Sequence, residues 1–347
     1  MTAPKTGLLR SPLFWPLAAL VLLIVANTVA TSGKFLTLRI QDDHIYGPLV
    51  DILRNGSSLL LVALGMTLVI ATRGIDLSVG AVVAIAGAVA LTRIASSPNP
   101  GSVSTVLSAI GVALGLCLLL GVWNGFLVSV VGIQPIIATL ILMTAGRGIA
   151  MLITGGFITT VTSAPFRILG SGYWLGVPVS ALIATLVFAV VAVATRRTAL
   201  GMLVESVGIN PEASRMAGVR SRSIIWTVYI ACGLFAGLAG LIIASNTMAA
   251  DANNAGLFIE LDAILAVVIG GTSLAGGKFS LTGTLVGVLV IQTLSATVTF
   301  VGIPPTVTPL FKAVVVIAVC LLQSPKAQAR LAARRQATVP IVSEVTA

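Results

Sequence analysis

PLVDILRNGSSLLLVALGMTLVIATRGIDLSVGAVVAIAGAVALTRIA, residues 48–95, decides the fold class. Residues 56–71 and 77–92 of this stretch carry no charge. A helix needs roughly 20 apolar residues to cross the hydrocarbon core of a bilayer, and each run comes close to that. They are separated by only a few polar residues around Arg73 and Asp76. This is the pattern of one membrane-spanning helix turning directly into the next.

The rest of the chain repeats the theme. Of 347 residues, 57% are hydrophobic and 9% charged, and mean hydropathy is +1.10. A soluble domain carries about 25% charged residues, and one soluble core of this length cannot bury so much apolar surface. The expected fold is therefore all-α: a polytopic membrane protein of about ten transmembrane helices with bent or re-entrant segments. The predicted spans are 13–30, 48–72, 77–95, 104–122, 134–154, 178–195, 224–244, 258–271, 281–299 and 307–323. The Gly-rich stretch GVWNGFLVSVVGIQP, 121–135, is expected to bend inside the protein, because lipid cannot satisfy irregular backbone. Three parts follow: a cytoplasmic N-terminus over 1–12, a transmembrane domain over 13–323 and a basic cytoplasmic tail over 324–347. The apolar run 13–30 reads as a retained helix, since no small-residue cleavage site follows it.

Charge placement orients the chain. On this topology thirteen of the twenty Lys and Arg fall in cytoplasmic segments, three in outer loops and four in or beside spans. That asymmetry follows the positive-inside rule and puts both termini in the cytoplasm. It also accounts for the net charge of +10 without nucleic acid, for which the chain lacks a basic, aromatic-interleaved surface.

The sequence offers little chemistry of its own. Cys117, Cys232 and Cys320 each lie in an apolar run with no metal-type spacing. His44 stands beside Asp42 and Asp43 in an outer loop, and one histidine cannot build a multi-His metal centre. The stretch GGTSLAGGKFS, 270–280, approaches a phosphate-binding loop, but Thr272 replaces its first Gly and Phe279 its Ser or Thr. No catalytic residue or bound metal is expected. Asp51 and Arg54 are spaced to pair on one helix face. Arg147 either lines a cavity or snorkels, and Lys312 is expected to snorkel. Glu260 and Asp262 are placed at an outer mouth. No carboxylate falls at a mid-span position, which counts against an ion-coupled secondary transporter.

The most informative polar stretch is the inner segment 196–223, and within it ESVGINPEASRMAGV, Glu205 to Val219. Asn210 suits an N-cap, Pro211 the first helical position, Glu212 the helix dipole and Gly218 the C-terminal stop. A two-turn helix presenting Ala213, Met216 and Ala217 beside Arg215 is marginal alone and is expected to dock on a partner. A solvated loop with an incidental turn is the plainer alternative. Two short Gly-rich stretches, GIDLSVG at 74–80 and GTSLAGG at 271–277, form a weak internal echo. Neutral Asn124, Gln134, Ser78, Thr272 and Ser273, with Asp76, make a candidate translocation path for an uncharged polyhydroxylated solute. Turn capping by Asp76 and Ser78 and helix–helix bonding by Asn124 and Gln134 are the structural alternatives.

At these residues the chain resembles the ribose/xylose/arabinose-type permeases of ATP-binding-cassette sugar importers. Gly208, Asn210, Ala213 and Gly218 keep the form of that family's Gly-x-Asn-x-x-Ala-x-x-x-Gly loop. GIDLSVG, GGTSLAGG at 270–277 and WNG at 123–125 look like its other signatures, while Ile209 and Ser214 depart from its usual residues. The resemblance implies a permease for a monosaccharide such as galactofuranose, without a nucleotide site of its own. It implies an ATP-binding subunit, holding ATP and Mg, that docks on Glu205, Gly208, Asn210, Glu212, Ala213, Arg215 and Gly218. It also implies a periplasmic sugar-binding protein, a second permease subunit (a related chain or a copy) and a site in the bacterial inner membrane. Branched-chain amino-acid permeases of the same transporter class are the nearest alternative.

Overall fold

The computed structural model describes residues 13–41, 44–302 and 304–323. The predicted N-terminal segment 1–12, the basic tail 324–347, Asp42, Asp43 and the side chain of Cys320 lie outside the described residues. Thirteen α-helices carry the described chain: α1 Phe14–Ala30, α2 Pro48–Ala71, α3 Val79–Ala95, α4 Val103–Phe126, α5 Pro135–Thr154, α6 Ala164–Ser171, α7 Val179–Arg197, α8 Leu200–Ile209, α9 Pro211–Met216, α10 Ser221–Thr247, α11 Ile259–Ile269, α12 Leu281–Val301 and α13 Thr308–Gln323. Six strands of two or three residues form small antiparallel pairs: β1 Arg39–Gln41 with β2 His44–Tyr46, β3 Thr159–Thr160 with β6 Ala249–Ala250, and β4 Tyr173–Trp174 with β5 Val177–Pro178.

Each predicted apolar run falls on a helix, but the lengths differ. Among the described residues, six helices are long and apolar enough to cross a membrane. They are α2, α4 with its continuation to Val131, α5, α7, α10 and α12. The first and third runs give 17-residue helices, the tenth gives 16 residues and the eighth gives 11. At 1.5 Å per residue α11 is about 16 Å long, roughly half of a bilayer core. The two helices α6 and α8 were not foreseen as separate elements.

Helices dominate because an apolar environment leaves backbone N–H and C=O groups no partner but each other. Pro48 and Pro135 sit at the first turn of α2 and α5, where no N–H is needed. α2 is the hub. Every residue from Gly56 to Ala71 is buried, as expected for a helix that is apolar on all sides. α7, α10, α11 and α12 pack around it, while α3 is enclosed by α4, α5 and α10. α1 and α13 rest on α12. Polar stitches reinforce these contacts: Thr67 on α2 and Thr284 on α12 share a 2.8 Å hydrogen bond, and Asn27 on α1 donates to Thr297 on α12 at 2.7 Å.

Two expectations are corrected. The segment 121–135 does not bend as a whole. Trp123, Asn124 and Gly125 lie in regular α4, and the distortion is a π-helical turn over Leu127–Val131 closed by Gly132 at φ +82°. Gly121 and Gly125 serve packing instead, since a Cβ on Gly125 would lie 2.3 Å from the Trp226 ring of α10. The second correction concerns the break between α2 and α3. The chain does not turn outside the bundle but climbs back among the helices. A Cβ on Gly74 would meet the Tyr229 hydroxyl at 2.5 Å, eight residues or about 12 Å into α10. α3 therefore starts well inside the bundle.

Candidate functional site

Where the chain climbs back, it carries its polar residues inward. Asp76 and Ser78 are 2% and 1% exposed, and Asn124 on α4 is 1% exposed. The Asp76 carboxylate accepts from the Ser78 backbone N–H at 3.0 Å and the Ser78 hydroxyl at 2.6 Å. Asn124 Nδ2 donates to Ser78 Oγ at 2.8 Å and reaches toward Asp76 Oδ1 at 3.5 Å. Cys117 and Cys232 are both free and buried. The Tyr229 hydroxyl and Asn124 Oδ1 are buried with no hydrogen-bond partner among the described residues. The result is a compact polar knot joining the broken α2–α3 connection to α4 and α10.

The other residues predicted for a path lie elsewhere. Gln134 precedes α5, is exposed and makes no side-chain cap. Thr272 is buried and accepts from the Ser280 N–H at 3.2 Å, holding the turn between α11 and α12. Ser273 is exposed in the same turn and accepts from Ala275 N–H at 3.2 Å. The structure thus gathers Asp76, Ser78 and Asn124 and leaves Gln134, Thr272 and Ser273 apart from them.

Before α11, the stretch around Gly256 dips toward the start of α3. A Cβ on Gly256 would lie 2.9 Å from Gly80 O, at the start of α3. Arg147 neither snorkels nor stands free: Nη1 donates to the carbonyls of Ala252 at 3.0 Å and Ala255 at 2.6 Å, clasping α5 to this dipping segment. Glu260 is not at an outer mouth. It is 7% exposed, and a Cβ on Gly80 would lie 2.4 Å from its carboxylate. Two carboxylates, Asp76 and Glu260, are therefore buried within the helical body. Lys312 likewise does not snorkel but pairs with Asp262 at 2.6 Å. The pairing of Arg54 with Asp51 is present at 3.4 Å. His44 stacks on Tyr173, with centroids 4.6 Å apart, and so joins the β1–β2 and β4–β5 hairpins.

The polar segment 196–223 is built as a protrusion. α8 buries Gly201, Val204, Val207 and Gly208, so it is anchored. α9 follows after the single extended residue Asn210, whose Oδ1 accepts from the N–H groups of Glu212 at 3.1 Å and Ala213 at 3.0 Å. Arg215 and Glu212 pair at 2.8 Å along the exposed face. Gly218 leaves the helix at φ +87°, a left-handed conformation that Gly adopts without a Cβ penalty. Ser214 turns inward and is 7% exposed, while Met216 is 88% exposed. Ala213 and Ala217 are exposed beside it, and Glu205 lines a cavity of about 280 Å³ with Arg196, Met202 and Phe279. An exposed methionine among small residues, on a short capped helix, is an adaptable apolar contact surface.

Directly before Asn210 the segment meets two other turns. Gly208 lies so close to the end of α2 that a Cβ there would fall 1.8 Å from Ala71 O and 2.6 Å from Gly277 N. Gly277 N–H donates to Ala71 O at 2.9 Å. The Arg73 guanidinium donates to Ile209 O, and a Cβ on Gly276 would meet the Arg73 side chain at 2.4 Å. The end of the second echoing stretch, Gly276 and Gly277, thus meets Ala71 and Arg73, just before the first, at the root of α9, a juxtaposition that no sequence spacing discloses.

Residues 49–320 match the family model described as "Branched-chain amino acid transport system / permease component". The chain is 46% identical over 326 residues to the galactofuranose transporter permease protein of Escherichia coli, covering 92% of this chain and 94% of that protein. It is 43% identical over 325 residues to the fructose import permease protein of Bifidobacterium longum, covering 92% and 89%. It is 37% identical over 314 residues to the ribose import permease protein of Escherichia coli, covering 89% and 92%. No solved structure matches the chain.

Proposed function

This chain belongs to the permease family whose model spans its residues 49–320, and from that premise we propose that it is the membrane-spanning subunit of an ATP-binding-cassette importer for a monosaccharide. The observation that carries the sugar assignment is near full-length similarity to permeases named for galactofuranose, fructose and ribose. The family description names branched-chain amino acids, but the relatives at 37–46% identity are sugar permeases. Galactofuranose or a related monosaccharide is the proposed solute. Deep carboxylates alone would suit a secondary transporter; the relatives speak against it.

The chain is multi-pass, and we place it in the bacterial inner membrane with ten helical passes, counting α11 with its dipping approach as one, and both termini inside. ATP and Mg are assigned to a separate ATP-binding subunit. It docks on the 205–218 protrusion, whose exposed Met216 and capped α9 support the assignment. A periplasmic sugar-binding protein delivers the solute outside, and a second permease chain, related or identical, completes the path. Alternating access then requires nucleotide and solute to favour different states of this assembly.

The test is reconstitution of the chain with its ATP-binding subunit and sugar-binding protein in proteoliposomes. Uptake of galactofuranose should exceed uptake of leucine and depend on ATP. Leucine uptake without sugar uptake would move the chain to the amino-acid branch, and sugar uptake driven by an ion gradient without ATP would end the importer assignment. Gly218→Trp and Ala213→Trp should each abolish ATP-driven uptake by blocking docking.

A further inference from the structure

The junction at the root of α9 holds three separate stretches of chain in one interlocked unit. Gly208 and Ile209 end α8; Ala71 to Arg73 end α2 and open the inward-climbing stretch; Gly276 and Gly277 lie between α11 and α12. Packing and hydrogen bonds both bind them. Gly208 leaves no room for a Cβ against Ala71 O and Gly277 N, Gly276 leaves none against Arg73, and Gly277 N–H bonds Ala71 O. The Arg73 guanidinium crosses to Ile209 O. Arg73 has φ +65°, unusual for a residue with a side chain, and this turn starts the chain back into the bundle. Three residues later the same stretch reaches Asp76, which is tied through Ser78 to Asn124 on α4.

We propose that Arg73, seated against Gly276 and bonded to Ile209, is a positioning residue that passes movement of the 210–218 docking helix into residues 72–78, and so to the Asp76–Ser78–Asn124 knot and the start of α3. The inference rests on the docking assignment made above. Its physical basis is continuity of stiff contact. Asn210 follows Ile209 directly, so a displaced α9 pulls the carbonyl that Arg73 holds. The Gly208, Ala71 and Gly277 backbones leave no free volume, so they transmit displacement rather than absorb it, and the exposed Arg73 side chain adds its bond to Ile209 O. Because Gly277 shares the junction, the turn leading to α12 moves with it. One docking helix thereby shifts the entry to α3 and the entry to α12 together. An arginine suits this place because its planar fork keeps a fixed direction to an acceptor, which a lysine ammonium does not.

The test uses the assembled transporter in proteoliposomes with its ATP-binding subunit and sugar-binding protein, comparing the unaltered chain with R73A, R73K and G218W. Three quantities are read: the amount of ATP-binding subunit that co-purifies, ATP hydrolysis, and sugar taken up per ATP hydrolysed. R73A should keep the ATP-binding subunit bound and hydrolysing while uptake per ATP falls at least tenfold, and R73K should recover part of that ratio. Unchanged uptake per ATP in R73A overturns the proposal, as does a proportional fall in uptake and hydrolysis, which marks a merely structural role. G218W reports on docking separately. If it retains the ATP-binding subunit and full uptake, the docking assignment fails, whatever R73A shows.

Discussion

Asn124 on α4 donates to the Ser78 hydroxyl at 2.8 Å across 46 residues of sequence, and this bond fixes the depth at which α3 begins. Ser78 in turn donates to Asp76 at 2.6 Å, so the carboxylate, the hydroxyl and the amide hold one another in a site all but closed to solvent. Removing one member leaves buried partners unmet, which costs about 1–3 kcal/mol. Asn124→Ala and Asp76→Ala should each lower the melting temperature of the purified protein and abolish uptake. Asp76→Asn keeps an acceptor oxygen and should be milder in both. Equal defects in Asp76→Asn and Asp76→Ala would show that shape and hydrogen bonding are not what this position supplies.

Gly287 on α12 faces α11 so closely that a Cβ would lie 2.0 Å from Ala266 O. Backbone cannot yield as a flexible side chain does, and overpacking of this kind costs about 1–3 kcal/mol. Gly287→Ala should therefore reduce thermal stability in detergent. Gly111→Ala on α4 is the matched control. Nothing lies within 4 Å of a Cβ there, and the gain in helix propensity, up to about 1 kcal/mol, should leave stability unchanged or raised.

The helical architecture was legible because a bilayer forces one backbone solution on every apolar run. The ends of α2 and α5 were marked by Pro48 and Pro135, and the cap of α9 by Asn210 and Pro211. What hydropathy cannot register is depth. Asp76 sits in a polar break and reads as a surface turn, yet the break rises into the bundle because Gly74 fits beneath Tyr229 and Asn124 awaits Ser78 from another helix. Glu260 misleads in the same way: α11 is short, and the stretch before it dips. Arg147 and Lys312 gave no sign of their partners, since Ala252, Ala255 and Asp262 are distant in sequence. The Arg73–Ile209 junction was missed entirely. Its one sequence signal was the cluster of glycines at 208, 276 and 277, which marks close backbone approach without saying to what.

Lys312 on α13 and Asp262 on α11 pair at 2.6 Å with side chains 16% and 23% exposed. Breaking a buried pair by removing one partner costs about 3–5 kcal/mol, and less where some solvent remains. Lys312→Met should destabilise the protein because Asp262 is left charged and alone. Lys312→Met with Asp262→Asn should recover most of the loss. A double-mutant cycle measured by thermal melting checks this, and simple additivity would mean that the two residues act independently.

Asp251 organises the exposed turn that follows β6. Its carboxylate accepts from Asn253 N–H at 2.9 Å, Asn254 N–H at 3.2 Å and Asn254 Nδ2 at 2.7 Å. The Asn254 amide, helped by these N–H groups and by the charge of Arg147, holds its pKa below the usual carboxylate range. A lowered folded pKa means that the stabilisation is complete above the unfolded value of about 3.9 and is lost as pH falls through the lower folded value. Hydrogen exchange of residues 251–258 should therefore not change through this group between pH 7 and pH 5. Asp251→Ala should raise exchange there at pH 7, whereas added exchange on going from pH 7 to pH 5 that Asp251→Ala abolishes would place the titration elsewhere on the scale.

Asn210 links the anchored α8 to the protruding α9. Its side chain satisfies two N–H groups at the start of a six-residue helix, and so short a helix has little other support. Loss of an N-cap costs about 1 kcal/mol, small against the whole fold but large against this one element. Asn210→Ala should consequently leave the melting temperature almost unchanged while weakening retention of the ATP-binding subunit during purification. Asn210→Asp preserves an acceptor at the same reach and adds favourable charge at the helix start, so it should retain the subunit. If Asn210→Ala holds its partner as firmly as the unaltered chain does, the order of α9 is supplied by the partner surface rather than by its own cap.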